Sequence, residues 1–201
     1  MFANRIALVT GGGSGIGRSL CKILANENAS LVIADQNITG AEETLKECSN
    51  PNQHVVVQCD VSKEDSIRAA FDQVHKKFGN NEVASLVANC AGITKDGWFT
   101  KMPLEQFTKV IDVNLNGTFL STQIACQRLI EKSKPGSIVN VSSVSGRFGN
   151  MGQANYVASK AAVEALCKTI AREMGKFNIR CNAIVPGFIE TPMIESVPEE
   201  C

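Results

Sequence analysis

Short, almost uninterrupted apolar runs alternate with longer amphipathic segments along this chain of 201 residues. Six of these runs are candidate strands, at residues 6–10, 30–34, 54–58, 84–88, 136–141 and 179–185. Helical periodicity fills the intervals near residues 15–27, 39–48, 63–78, 103–132 and 153–175. Strands that are apolar on both faces are typical of a parallel sheet covered by helices. The alternation therefore predicts an α/β fold, a doubly wound parallel sheet.

Nothing in the sequence divides this pattern, so we expect residues 1–201 to form a single domain. The formal net charge is zero and the basic residues form no stripe, which argues against a nucleic-acid partner. No apolar run approaches the ~18 residues of a membrane-spanning helix, so no membrane association is expected.

Eight cysteines are scattered along the chain without a C-x-x-C pair, and only two histidines accompany them. We therefore expect no metal site, and reduced thiols in an intracellular reducing compartment. Because the first predicted strand begins at residue 6, we expect no signal or transit peptide in this sequence.

A glycine-rich run, T-G-G-G-S-G-I-G at residues 10–17, lies directly between the first strand and the first helix. At such a junction, free backbone amides and the helix dipole bind an anion. The sequence predicts a dinucleotide pyrophosphate here, contacted by Gly11, Ser14, Gly15, Ile16 and Gly17. The alternative is a tight turn without a ligand.

Asp35 and Gln36 end the second strand, and Asp35 comes 18 residues after Gly17. A carboxylate at that point can accept hydrogen bonds from the hydroxyls of a ribose and would repel a 2′-phosphate. We therefore predict NAD(H) as the cofactor rather than NADP(H). The alternative is a solvated aspartate at a strand end.

Asp60 and Val61 follow the third strand, where a side chain could contact the adenine. Asp60 could equally cap the helix that follows. Ser62 is the favoured N-cap of that helix, with Asp65 as its capping-box partner.

Reactive side chains follow the fourth, fifth and sixth strands at N-C-A-G (89–92), S-S-V-S-G (142–146) and P-G-F-I-E-T-P (186–192). The next helix opens with Y-V-A-S-K, residues 156–160. Parallel strands bring their carboxyl ends to one edge of the sheet, so these segments predict one active site.

A nicotinamide transfers a hydride, and a proton must then move on the substrate oxygen. Tyr156 is the candidate acid or base, and Lys160, one helical turn away, is expected to lower the pKa of its hydroxyl. Ser143 can donate a hydrogen bond to the substrate carbonyl. The alternative is that Tyr156 and Lys160 merely touch as an i, i+4 pair.

These motifs resemble the short-chain dehydrogenase/reductase family over the whole chain. T-G-G-G-S-G-I-G and Y-V-A-S-K match its two signatures, and Ser143 precedes Tyr156 by the family spacing of 13 residues. The resemblance implies a Rossmann fold. It also adds a catalytic asparagine, Asn114, which the residues alone favour as a buried structural amide. Further cofactor contacts implied by the resemblance are Asn89, Ala91, Gly92, Ile189 and Thr191.

Three stretches, C-A-G-I-T-K-D, G-N-M-G-Q-A-N-Y and I-R-C-N-A-I-V-P-G-F-I-E-T-P-M, resemble the 3-oxoacyl-acyl-carrier-protein reductases and their animal mitochondrial relatives, the type 8 17-beta-hydroxysteroid dehydrogenases. The resemblance implies reversible ketone reduction on a small or carrier-bound acyl thioester in fatty acid metabolism. It also implies a homodimer or tetramer, or a hetero-oligomer, in the mitochondrial matrix or cytoplasm. Alternatives are a steroid or sugar alcohol dehydrogenase and a cofactor-holding structural subunit.

The sequence departs from the family pattern at two places. Cys90 stands where the family motif N-N-A-G has its second asparagine. The chain also ends in the polar segment I-E-S-V-P-E-E-C, whereas the resemblance implies the rest of a lid, a further helix and a seventh strand.

Overall fold

The computed structural model describes residues 2–192, which contain a six-stranded parallel sheet. Its strands are β1 (Ile6–Thr10), β2 (Ser30–Asp35), β3 (His54–Gln58), β4 (Leu86–Asn89), β5 (Gly136–Val141) and β6 (Ile179–Ile184). Their spatial order is β3-β2-β1-β4-β5-β6, and every neighbouring pair is parallel. The prediction of a doubly wound parallel sheet is confirmed. The strand order reverses between β1 and β4, the point where ligands bind in such sheets.

The helices are α1 (Gly15–Asn26), α2 (Ile38–Glu47), α3 (Glu64–Phe78), α4 (Leu104–Ile111), α5 (Gly117–Glu131), α6 (Ser145–Phe148) and α7 (Ala154–Met174). Short 3₁₀ turns cover Pro51–Gln53, Phe99–Lys101 and Gly175–Phe177. The helix expected over residues 103–132 is interrupted by a π-helical segment, Asp112–Asn116, which joins α4 to α5.

The sheet is covered on both faces, which explains why the central strands β1, β2 and β4 are almost entirely apolar. Leu8 points to one face and packs in a core with Phe71 of α3 and Ile124 of α5. Val9, the next residue, points to the other face and packs in a core that includes Leu24 of α1. Side chains alternate between the two faces along each strand, so both neighbours must be apolar.

The loop between β1 and α1 is held tightly against the helix. Gly11 has a φ of +68°, in the left-handed region that glycine adopts without a steric penalty. A Cβ on Gly17 would collide with the carbonyl oxygen of Gly11. The glycines therefore allow the first turn of α1 to pack directly on the loop.

The expected N-cap of α3 is wrong. α3 begins at Glu64, and its N-cap, Lys63, makes no side-chain cap bond. The hydroxyl of Ser62 donates instead to Oδ1 of Asp60, at 2.7 Å. Asp60 Oδ1 also accepts from the backbone amide of Ser62 at 2.9 Å, so Ser62 belongs to a turn around Asp60 that precedes the helix.

Across residues 2–192, no helix combines the length and apolarity that crossing a membrane requires. Two predictions concern residues outside the described range: that residues 194–201 are a polar terminal segment, and that Cys201 is a reduced thiol. The other seven cysteines are free thiols.

Candidate active site

A cavity of about 340 Å³ lies at the carboxyl ends of the central strands. All of the predicted site residues except two line it. They are Gly11, Ser14, Gly15, Ile16, Gly17, Asp35, Gln36, Asp60, Val61, Ala91, Gly92, Ser143, Tyr156, Lys160, Ile189 and Thr191. The fold therefore brings segments from along the whole chain to a single cavity.

Asn89 does not line this cavity, and its contact with a cofactor stays a prediction. Its Nδ2 donates to Oδ1 of Asn140 at 2.7 Å and to the hydroxyl of Thr122 at 3.1 Å. The side chain therefore ties β4 to β5 and α5 inside the protein. An amide that is buried at a strand end can find its partners in the neighbouring strand rather than in the cavity.

Asn114 also lies behind the cavity wall, within the π-helical segment, and is completely buried. Its Oδ1 accepts from the backbone amide of Ile93 at 2.8 Å, and its Nδ2 donates to Ser159 Oγ at 3.1 Å. A Cβ on Gly92 would lie 3.4 Å from both Asn114 Oδ1 and Lys160 Nζ. Asn114 therefore lies directly behind Gly92, which lines the cavity. π-Helical insertions are frequent at functional sites.

Lys160 is buried beneath the cavity and holds α7 against β5. Its Nζ donates to the carbonyl oxygen of Val141 at 2.7 Å and lies 5.6 Å from the centre of the Tyr156 ring. Burial lowers the pKa of the Lys160 ammonium to about 8, because the charged form loses its hydration.

The prediction that the pKa of the Tyr156 hydroxyl is lowered is wrong. Burial raises the pKa of the Tyr156 hydroxyl, a hydrogen bond with Ser143 opposes that rise, and Asp96 adds to it. Lys160 was expected to lower this pKa. The ammonium instead donates to a backbone carbonyl and is costly to keep charged, so the loss of hydration at Tyr156 dominates.

The loop after β5 positions Ser143 beside Tyr156. Ser143 Oγ accepts from the backbone amide of Ser145 at 3.2 Å, which orients the hydroxyl toward the cavity. The neighbouring Ser142 donates to the carbonyl oxygen of Lys160 at 2.8 Å and so fixes this loop to α7. These bonds hold the serine, the tyrosine and the lysine in one arrangement.

The opposite end of the cavity fits a dinucleotide. The Ser14 side chain makes no capping bond to α1, and the first turn of that helix has no acidic residue. Its amides therefore face the cavity without a side-chain partner, as an anion site requires. Asp35 is held at this end, since Oδ2 accepts from Gly13 N and Oδ1 from Asn37 N, each at 2.8 Å.

The sequence analysis missed the wall that faces Tyr156. Gln153 Nε2 donates to Asp96 Oδ2 at 2.9 Å, and Asn150 Nδ2 donates to Gln153 Oε1 at 3.0 Å. The amide of Gly97 also donates to the carbonyl oxygen of Gly152 at 2.8 Å. The only signal for this contact was that both loops follow strands that end at the same sheet edge. Within the described residues, no cluster of three His, Cys, Asp or Glu side chains could hold a metal ion.

The family profile of the short chain dehydrogenases matches residues 5–201. The chain belongs to the short chain dehydrogenase family. It is 44% identical to the (3R)-3-hydroxyacyl-CoA dehydrogenase of Homo sapiens, over 97% of this chain and 77% of that protein. It is 41% identical to the 3-oxoacyl-[acyl-carrier-protein] reductase of Thermotoga maritima, over 98% of this chain and 78% of that one.

A solved structure of levodione reductase also superimposes on this chain. The two share 35% sequence identity and a TM-score of 0.89, over 97% of this chain and 76% of that one. The family and these relatives identify the protein as an oxidoreductase that interconverts a ketone and an alcohol and uses a nicotinamide dinucleotide, NAD or NADP.

Proposed function

We propose that this protein interconverts 3-oxoacyl and 3-hydroxyacyl thioesters of fatty acid metabolism, with NAD(H) as cofactor and Tyr156 as the acid or base. The observation that carries the proposal is the meeting of Ser143, Tyr156 and Lys160 in the cavity that the glycine-rich loop also lines. The names of the human and Thermotoga relatives supply the substrate class.

In ketone reduction, a bound nicotinamide supplies the hydride. Ile189 and Thr191 line the cavity where its amide would be held. The Tyr156 hydroxyl donates the proton to the substrate oxygen, and its raised pKa keeps it protonated at neutral pH. Ser143 donates a second hydrogen bond to that oxygen as negative charge develops there. We assign to Lys160 the return of a proton to Tyr156, because its pKa is about 8 and its Nζ lies 5.6 Å from the centre of the Tyr156 ring.

The preference for NAD(H) rests on Asp35 and on the lack of an available cation in the loop. The Arg18 guanidinium donates to Thr44 Oγ1 at 3.0 Å and pairs with Glu43 Oε2 at 3.0 Å. The guanidinium of Arg18 is therefore bound to side chains of α2, and it would have to break these bonds to reach a 2′-phosphate. Ser14 stands where related NADP-using reductases have an arginine.

The test is a steady-state comparison of acetoacetyl-CoA, a cyclic diketone, estradiol and a sugar alcohol, each with NAD(H) and NADP(H). We expect the highest kcat/KM for acetoacetyl-CoA with NADH. A higher value for one of the other substrates would overturn the thioester assignment while leaving the family chemistry intact. No turnover of any substrate, with NADH still bound, would favour the structural-subunit alternative.

A cyclic ketone is a second candidate substrate, favoured by the similarity to levodione reductase. The diketone in the same assay tests it directly. We also propose a reducing compartment, the mitochondrial matrix or the cytoplasm, which the free thiols of the described cysteines support.

A further inference from the structure

The loop after β4 is fastened to the beginning of α7, next to the turn that carries Tyr156. Three hydrogen bonds join them: Asn155 Nδ2 to the carbonyl oxygen of Lys95 at 2.8 Å, Gly97 N to the carbonyl oxygen of Gly152 at 2.8 Å, and Gln153 Nε2 to Asp96 Oδ2 at 2.9 Å. Asn155 is completely buried, and Gln153 is only 5% exposed although it lines the cavity. Asp96 therefore has a fixed position beside the catalytic turn.

The carboxylate of Asp96 has a neutral partner but no cation. Its Oδ1 is shielded from solvent without a hydrogen-bond partner, and no lysine or arginine of residues 2–192 forms an ion pair with it. Asn150 Nδ2 donates to Gln153 Oε1 at 3.0 Å, which fixes the amide that holds Asp96. A neutral asparagine at position 96 could accept the same bond from Gln153, so this contact does not require the negative charge.

The other charged groups around the start of α7 are engaged elsewhere or screened by water. Lys160 Nζ donates to the carbonyl oxygen of Val141, and Arg147 of α6 pairs with Glu164 at 2.8 Å. Burial raises the pKa of the Cys90 thiol in the cavity wall to about 12, so this group is neutral. The remaining charged groups on the elements packed against α7 are exposed or hydrogen-bonded to other side chains: Glu105 and Lys109 on α4, Asp112 in the π-helical segment, Arg128 and Glu131 on α5, Lys176 after α7, and Arg180 on β6.

We propose that Asp96 is a positioning residue of the ketone reduction: its carboxylate, held in place by Gln153, keeps the Tyr156 hydroxyl neutral and ready to donate a proton. This role rests on the proposed function of Tyr156 as the acid. A negative charge nearby disfavours the tyrosinate form, and the effect is stronger where water is excluded. Burial is the main cause of the raised pKa of Tyr156, and the charge of Asp96 adds to it. The same charge favours the return of a proton after each transfer.

The test uses the fact that Tyr156 is the only tyrosine of the chain. Tyrosinate absorbs in the near ultraviolet where neutral tyrosine does not, so a pH titration of the absorbance reports this hydroxyl alone. Circular dichroism at each pH would confirm that the protein remains folded. Asp96→Asn removes the charge and keeps an acceptor for Gln153, so we expect its midpoint to lie below that of the wild type by about half a pH unit or more. Equal midpoints would overturn the proposal.

Two further variants separate the charge from other effects of substitution. Asp96→Ser removes the carboxylate without introducing an amide, and its midpoint should shift in the same direction. Glu105→Gln is the matched control, because it removes an exposed charge from α4, which also packs against α7. Its titration should match that of the wild type. An unshifted Asp96→Ser, or an equal shift in Glu105→Gln, would show that the charge at position 96 is not the cause.

Kinetics connect this ionisation to the reaction. The ratio of kcat/KM at about pH 10 to that at about pH 7, for reduction of acetoacetyl-CoA by NADH, should be about twofold lower in Asp96→Asn than in the wild type, since more Tyr156 is ionised. An unchanged ratio would overturn the role of Asp96 in the reaction. A wild type without turnover would contradict the proposed function, whereas equal titration midpoints would overturn the role of Asp96 and leave the proposed function intact.

Discussion

Burial governs the two ionisable side chains at the centre of the cavity, and it acts on them in opposite directions. It raises the pKa of the Tyr156 hydroxyl and lowers the pKa of the Lys160 ammonium, because in each case the charged form loses hydration. Both groups are thereby biased toward their neutral forms. A neutral tyrosine is a proton donor, which suits ketone reduction at neutral pH more than alcohol oxidation.

The first prediction concerns the proton that Tyr156 donates. Tyr156→Phe removes the hydroxyl and leaves the ring, so NADH binding should persist while kcat falls by about 10²–10⁴-fold, the usual contribution of general acid catalysis. The measurement is kcat with acetoacetyl-CoA alongside a fluorescence titration with NADH. If the variant keeps more than a tenth of the activity, Tyr156 is not the acid.

The second prediction concerns the charge of Asp35. Two unit charges about 4 Å apart at an effective dielectric near 20 repel by about 4 kcal/mol. That energy limits discrimination against NADPH to about 10³-fold. Asp35→Asn removes the charge and keeps an acceptor for Gly13 N, so kcat/KM for NADPH should rise by at least tenfold.

Kinetics with both cofactors on one ketone would measure this effect. Glu131→Gln, which removes an exposed charge that does not line the cavity, should leave the ratio of the two cofactors unchanged. A wild-type enzyme that prefers NADPH, or an Asp35→Asn variant with the wild-type ratio, would contradict the role given to Asp35.

At the scale of elements, the sequence predicted all six strands that the structure describes. A strand buried on both faces is a short apolar run, and the longer amphipathic segments between these runs distinguish the helices from the strands. It did not predict the π-helical segment at Asp112–Asn116, since one extra residue in a turn leaves the apolar pattern nearly unchanged. It also misplaced Ser62, because Asp60 lies two residues earlier and its side chain forms a turn with Ser62, an alternative to a cap that the sequence does not decide.

The active site, like the secondary structure, was predicted in part and missed in part. Glycines and strand ends locate a cavity, because parallel strands converge. The direction of a side chain at a strand end depends on its neighbours, and Asn89 finds its partners in β5 and α5. The sign of the pKa change at Tyr156 depended on burial, which a sequence does not state.

The third prediction concerns the contact between α1 and the β1–α1 loop. Gly17→Ala would force a methyl group into the Gly11 carbonyl oxygen, and overpacking of this kind costs about 1–3 kcal/mol or more. Gly175→Ala is the matched control, because nothing lies within 4 Å of its added Cβ. Urea unfolding should show a loss of stability at Gly17 and little change at Gly175. Equal stability of the two variants would show that the loop can move away from the helix.

The fourth prediction uses the bond by which Lys160 ties α7 to β5. Its pKa is about 8 in the folded chain and about 10.5 when unfolded, so between these values the unfolded state binds more protons. Stability contributed by this site should therefore rise as the pH rises from about 8 to 10.5, by ~3 kcal/mol at most. Lys160→Met removes the titrating group.

The measurement is the difference in urea unfolding free energy between the wild type and Lys160→Met, followed from pH 7 to 10.5 in the presence of a thiol reductant. The wild type should gain on the variant with increasing pH. Lys168→Met, at an exposed position of the same helix, should show no such trend. A difference that stays constant or shrinks would mean that Lys160 is not buried as a costly cation.

At the scale of the whole molecule, α7 has an outer face that the sheet does not use. Ala158, Ala161 and Ala165 are exposed along its first half, whereas Lys168 and Arg172 occupy the same face farther on. On α5, Phe119 remains 41% exposed, although most apolar residues of that helix are buried against the sheet. Small side chains allow two helices to approach closely, and exposed aromatic side chains are typical of protein interfaces.

The last prediction is that the protein forms a dimer or tetramer in which the α4–α5 region and α7 pack against the same elements of a second copy. Ala161→Glu would place a charge at the centre of the small-residue face, and an unpaired charge buried in an interface is strongly unfavourable. We therefore expect this variant to dissociate at concentrations at which the wild type remains associated. Ala171→Glu is the matched control, because Ala171 is also exposed but lies off that face, roughly a quarter turn away. Sedimentation velocity would separate the outcomes. A monomeric wild type, or equal dissociation of the two variants, would show that the exposed face of α7 does not join two copies.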